Sequence, residues 1–240
     1  MSRLHTSVLI SAALLFATWL QAEEPKNPPS PGTPHPALAP IADVSGLPRV
    51  LLMGDSISMG YTLPVRAHLQ GRANVHHPAE NCGDTGRGLR RLEAWLGAGR
   101  WDVIYFNFGL HDLKYLDAQG KYVPPEQGTQ VTPLPQYEAN LRELVARLRR
   151  TGAKLIYATT TPVPGGTLGR VEHDERAYNE VARRVMRETD VPVDDLHALA
   201  AARQTEIQLP NNVHFTDAGY AALAETVAAT LGELLPTQRP

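Results

Sequence analysis

Two residues stand where acyl-transfer chemistry could be built. Ser56 follows an apolar run in "VLLMGDSISMGY", residues 50–61, with Gly54 and Asp55 breaking the run just before it. His214 stands late in the chain, in "LPNNVHFTDAGY", directly before a segment of helical periodicity. A hydroxyl is a weak nucleophile until a base takes its proton, and a neutral imidazole is suited to that task near pH 7. Taken alone, Ser56 reads as a helix N-cap, a common use of serine at such a turn. Reading it as a nucleophile requires a base, and donors for the negative oxygen that attack on a carbonyl creates.

Two further stretches carry suitable groups. "NCGDTGRG", residues 81–88, has glycines whose backbone N–H groups can approach a ligand closely, and "NFGLHD", residues 107–112, places His111 just after an apolar run. The other histidines have structural explanations. His35 lies in a proline-rich stretch, His68 in a helical segment, His76 and His77 at a strand, and His173 and His197 near helix starts. None of these makes the paired spacing with a third ligand that zinc needs, so no metal and no cofactor is expected.

The elements that must position these groups follow from periodicity. "RVLLMG", "ANVHHP", "DVIYFNFG", "AKLIYATTTP" and "VPVDDL" read as strands, and Ser56 is expected to lead into a helix starting near Met59 or Gly60. Between the strands "LPVRAHLQG", "RGLRRLEAWLGAG", "LPQYEANLRELVARLRRTG" and "DERAYNEVARRVMRETD" carry helical spacing, and "TDAGYAALAETVAATLGELL" closes the chain with Thr216 as N-cap. Strand and helix in alternation predict an α/β fold, a doubly wound and mainly five-stranded parallel sheet with helices on both faces. Chemistry in such sheets gathers at the carboxyl ends of the strands, so the four stretches are expected at that edge. The connection "KYLDAQGKYVPPEQGTQVTPLPQ" from Lys114 leaves that edge as a long loop, with Tyr115 and Tyr122 as candidates for a wall of the site, and "TTTPVPGG" as a candidate for the opposite wall.

Whole-chain properties narrow the class. The chain has 240 residues, with 23 Lys and Arg against 25 Asp and Glu, a balance that gives no field for a nucleic-acid partner. Arg3 and His5, the apolar run Val8–Leu20 and Ala22 predict a signal peptide over residues 1–22, hence a secreted or periplasmic protein with no stable membrane insertion after cleavage. Residues 23–48 are proline-rich and predict an extended tether, residues 49–235 the folded domain, and 236–240 a short tail. Cys82 is the single cysteine, so no intrachain disulfide can form and the fold rests on packing.

The four stretches, in this order, resemble the SGNH, or GDSL-like, hydrolase superfamily of esterases and acetylesterases, over about Arg49 to Leu235. "GDSIS" corresponds to the first block, with Ser56 at the nucleophile position, and "NCGDTGRG" to the glycine block. "GLHD", Gly109 to Asp112, corresponds to the Gly-x-Asn-Asp block, and "NNVH", Asn211 to His214, to the Asp-x-x-His block. The resemblance implies the flavodoxin-like fold of that superfamily and a carboxylic ester hydrolase. Ser56 would be the nucleophile and His214 the base, with the Ser56 N–H, a glycine N–H from Gly86 or Gly83, and His111 as the oxyanion donors. It also implies a small-molecule or glycan ester as substrate, with short acyl groups such as acetyl on carbohydrate. A lysophospholipase or thioesterase of the same superfamily, or a catalytically silent carbohydrate-binding module, are the other readings.

Two departures from the pattern bear on mechanism. His111 stands where the superfamily has asparagine, and donates a ring N–H only in the right tautomer; it also adds a second imidazole to the pH dependence. Asn211 stands where the superfamily has the aspartate that orients the base. Asn211 is expected either to orient His214 through its amide oxygen or to be a spectator beside a Ser-His dyad, with Asp194, Asp195 and Asp217 as substitute acids and Asp195 the best placed of them. Asp55 and Asp112 are expected to brace their loops by accepting backbone N–H bonds.

Overall fold

A computed structural model describes residues 35–235. The expected signal peptide, the first part of the tether and the tail lie outside the described residues. The sheet is built from β1 (Arg49–Met53), β2 (Asn74–His76), β3 (Val103–Phe106), β6 (Lys154–Ala158) and β7 (Val193–Asp194), all parallel, in the order β2-β1-β3-β6-β7. Between β3 and β6, the strands β4 (Tyr115–Leu116) and β5 (Thr129–Gln130) pair antiparallel as a separate two-stranded ribbon. The helices are α1 (Ser56–His68), α2 (Thr85–Leu96), α3 (Leu134–Arg149), α4 (Glu175–Glu188), α5 (Leu196–Ala202), α6 (Gln204–Ile207) and α7 (Asp217–Leu234). The expected doubly wound sheet is therefore present.

Every residue of β3, and all but the first of β1 and β6, is buried, so these strands read as continuous apolar runs. The order reverses at β1, where the chain first runs outward through α1 to β2 and then back through α2 to β3. Right-handed crossovers in opposite directions place α1 on one face and α2, α3 and α4 on the other. Accordingly α1 packs against α7, while α2 meets α3 and α3 meets α4. Register aligns Met53, Phe106 and Tyr157, so β1, β3 and β6 end side by side. That edge is braced by Asn107, whose N–H donates to Met53 O at 2.9 Å and whose Nδ2 donates to Ala158 O at 2.7 Å.

Three expectations change in detail. First, α1 opens at Ser56 itself, and its N-cap is Asp55, whose carboxylate accepts from Ile57 N at 2.9 Å. Ser56 is therefore freed from the capping role, because the residue before it already satisfies the helix start. Second, the fifth strand ends at Asp194, and Asp195 caps α5 by accepting from Ala198 N. Third, the stretch expected as a tether is bound to the domain from residue 35 onward. Ala37 is fully buried, Asn74 Nδ2 donates to Val44 O and Leu47 O, and Asp43 pairs with Arg49 and His76.

Candidate active site

The turn after β1 sets the first group. A Cβ on Gly54 would lie 2.9 Å from Ser58 Cβ, so only glycine lets the chain bend this tightly into α1. Ser56 then stands at the first position of α1, where N–H groups have no intrahelical acceptor. Its Oγ lies 2.8 Å from His214 Nε2, across 158 residues of sequence.

The state of that imidazole can be deduced from its neighbours. Asn212 Oδ1 accepts from the His214 backbone N–H at 3.1 Å, and a backbone N–H only donates, so the atom facing it is the amide oxygen. The same oxygen lies 2.8 Å from His214 Nδ1. Nδ1 therefore carries the proton, and Nε2 presents a lone pair to the Ser56 hydroxyl, as a general base requires.

This geometry relocates the expected orienter. Asn211 takes no hydrogen bond with His214: its backbone is in the left-handed region, φ 53°, and its side chain turns toward Gly166. Asp195 is engaged elsewhere, accepting from Thr159 Oγ1 at 3.0 Å and pairing with Arg183 at 2.6 Å. Of the other acids considered, Asp194 accepts from Tyr105 Oη, and Asp217 begins α7. Asn212, two residues before the histidine rather than three, was not anticipated. Its signal in the sequence was only that it adjoins Asn211.

His111 faces the same cavity and has its own fixed tautomer. Lys114 Nζ lies 3.1 Å from His111 Nδ1, and an ammonium only donates, so Nδ1 is the acceptor and the ring proton sits on Nε2. Burial first, then the Lys114 and Arg170 charges, push the His111 pKa down to about 3. The second imidazole thus stays neutral where enzymes work. His214 is also held below its ordinary value, chiefly by burial and then by the Arg170 charge.

The glycine block lies beside the Ser56 turn, since Cys82 N donates to Gly54 O at 3.0 Å. Gly83, at φ 67°, donates its N–H to Asn81 Oδ1 at 2.9 Å, and Gly86 falls in the first turn of α2. Neither glycine is among the residues lining the cavity. The loop-bracing aspartates do as expected: Asp55 caps α1, and Asp112 Oδ1 accepts from Thr85 N at 2.9 Å and from Thr85 Oγ1.

The cavity at Ser56 and His214 has a volume of about 280 Å³. Leu110, His111, Tyr122, Leu168, Arg170 and Val213 form much of its wall. Tyr122 takes the place expected of it, whereas Tyr115 is absorbed in the β4–β5 ribbon. The opposite wall comes from Thr167, Leu168 and Arg170, just beyond the expected "TTTPVPGG".

A second serine–histidine contact shows what distinguishes the first. Ser58 Oγ lies 2.8 Å from His77 Nε2, but Ser58 is only 2% exposed and His77 Nδ1 bonds to Pro78 O. That pair is interior packing with no ester within reach.

Residues 52–222 match the family described as GDSL-like lipase/acylhydrolase. No curated protein matches the chain in sequence. Among solved structures, a lipase/acylhydrolase from Enterococcus faecalis is similar at a TM-score of 0.66 and 18% identity, covering 81% of this chain and 100% of that one. The acetyl xylan esterase AlAXEase is similar at 0.62 and 16%, covering 76% and 99%. An acetylxylan esterase from Geobacillus stearothermophilus is similar at 0.62 and 21%, covering 80% and 97%. At these identities the structural likeness is one of fold.

Proposed function

The chain belongs to the GDSL-like lipase/acylhydrolase family and is a carboxylic ester hydrolase, and on that premise we propose that it removes short acyl groups, acetyl foremost, from carbohydrate esters. The observation that carries this reading is the Ser56–His214 contact of 2.8 Å with the imidazole tautomer set by Asn212. Ser56 Oγ attacks the ester carbonyl carbon while its proton passes to His214 Nε2. The carbonyl oxygen becomes negative and is met by the Ser56 N–H and by His111 Nε2–H, while the Gly83 N–H is already committed to Asn81 Oδ1. Collapse breaks the bond to the alcohol, which leaves with the proton from His214. Water, deprotonated by His214, then attacks the acyl-serine, releases the acid and returns the proton to Ser56.

Cavity size supports the acyl length. About 280 Å³ lies at the low end of small-ligand sites and leaves little space for a long acyl chain, which weighs against a lysophospholipase. Two of the similar structures are named as acetylxylan esterases, which fits a polymer or oligomer of sugar as the alcohol. The basic and apolar N-terminal residues support export before catalysis. The test is hydrolysis of p-nitrophenyl acetate, butyrate and octanoate by the mature chain, beside labelling of Ser56 with a fluorophosphonate. Turnover is expected to be greatest on acetate and to fall by about 10³-fold or more in Ser56→Ala and His214→Ala. Equal rates in the variants and the parent, or no labelling of Ser56, would reject the mechanism.

A further inference from the structure

Arg170 lines the cavity and Lys114 stands against two residues that do, His111 and Tyr122; neither cation forms an ion pair with a carboxylate among the described residues. Lys114 Nζ lies 5.1 Å from the centre of the Tyr122 ring, and Arg170 Cζ lies 5.4 Å from it, so both cations address one aromatic ring. Arg170 is anchored through Nε to Leu110 O at 3.1 Å, and its terminal guanidinium nitrogens have no acceptor among the described residues. Lys114 spends its donors on His111 Nδ1 and, at 3.5 Å, on Tyr122 Oη. Some cations elsewhere do share a carboxylate: Arg142 and Arg184 share Glu138, and Arg87 and Arg91 share Glu80.

The pairing has an electrostatic cost. Like charges held near one ring repel, and Arg170 opposes the positive charge that His214 must take up during catalysis. Among the described residues the one carboxylate lining the cavity is Asp55; both cations act on it through space, but it is 2% exposed, has an oxygen committed to capping α1 and forms an ion pair with neither. An anion arriving with the substrate would offset these costs, and a guanidinium with free terminal nitrogens is the side chain suited to gripping a carboxylate in two-point fashion.

We propose that the ester hydrolysed here carries an anionic group, a carboxylate such as that of a uronic acid unit, held between Lys114 and Arg170. The inference rests on the short-chain esterase reading. An acetyl group has no place for a charge, so the anion belongs to the alcohol that leaves.

A matched pair of acetyl esters tests it: 4-acetoxybenzoate and its methyl ester, each rate divided by that of its hydroxide-catalysed hydrolysis. The anionic ester is expected to be favoured in kcat/KM by about tenfold, the worth of a charge-assisted contact. That ratio should fall toward one in Arg170→Met and in Lys114→Met, persist in Lys114→Arg, and shrink as salt is raised. A ratio at or below one in the parent protein overturns the proposal, as does an equal loss on both esters in the variants, which would assign the cations to the oxyanion or to His111 instead. If fluorophosphonate labels Ser56 and the neutral ester turns over without preference, the anion proposal alone fails. If neither ester reacts and Ser56 resists labelling, the esterase reading fails with it.

Discussion

Asn212 occupies the place where a carboxylate would hold the base, and its effect on His214 is to orient without adding charge. In serine proteases an asparagine at that place lowers turnover by about four orders of magnitude because the wrong tautomer is favoured. Here the backbone N–H of His214 pins the amide oxygen, so the same residue type selects the productive tautomer. The pH dependence follows. Catalysis needs neutral His214, whose pKa is lowered from 6.5 by burial and by Arg170, so activity is expected to hold as pH falls to 6.5 and to decline only below it. His111, at about 3, does not titrate in that range. In Asn212→Asp the added carboxylate favours imidazolium, so the midpoint of the acid limb in kcat/KM should move to higher pH. A midpoint above 6.5 in the parent, or no movement in the variant, would contradict this account. At this scale the gathering of Ser56, His214 and His111 at one cavity was legible from their blocks. Asn212 was not, because spacing cannot reveal that Asn211 takes a left-handed backbone and turns its side chain away.

The Ser56–His214 distance is set by the two helices that follow those residues. α1 begins at Ser56 and packs along α7, which begins three residues after His214. They approach tightly at Gly60, where a Cβ would lie 2.1 Å from the Tyr220 ring. Gly60→Ala is therefore expected to force α1 and α7 apart, to cost about 1–3 kcal/mol by denaturant unfolding, and to lower kcat with it. Unchanged stability would mean that Tyr220 moves aside at little cost. The main strands and long helices were readable because burial on both faces imposes apolar runs and helical stripes. The β4–β5 ribbon was not, since strands of two residues carry no period, and the short helices α5 and α6 were hidden for the same reason.

For the molecule as a whole, strand–helix alternation pointed to the α/β domain and the motif blocks to the hydrolase family, but composition misjudged where that domain's packing begins. Proline content suggested a tether up to residue 48, yet Asn74, 4% exposed, is satisfied by the backbone of Val44 and Leu47. Composition records what a segment lacks for a core of its own; it does not record what a neighbouring surface offers. Removing residues 35–47 would leave the Asn74 amide buried without those partners and uncover the site of Ala37. The expected result is a drop of Tm of about 4 °C or more, read by calorimetry, since a buried unpaired amide costs about 1–3 kcal/mol. An unchanged Tm would show that this segment is passive. The same scale gives a meaning to the start of α1 at the nucleophile. The aligned peptide dipoles of a helix place about half a positive elementary charge at its N-terminus. That field favours the negative oxygen that forms beside Ser56 when a carbonyl is attacked, while burial and the Arg170 charge disfavour a positive His214 ring at rest, so the resting pair stays uncharged. Charge separates only when a carbonyl is present to take the negative end, which leaves the idle nucleophile quiet until an ester arrives.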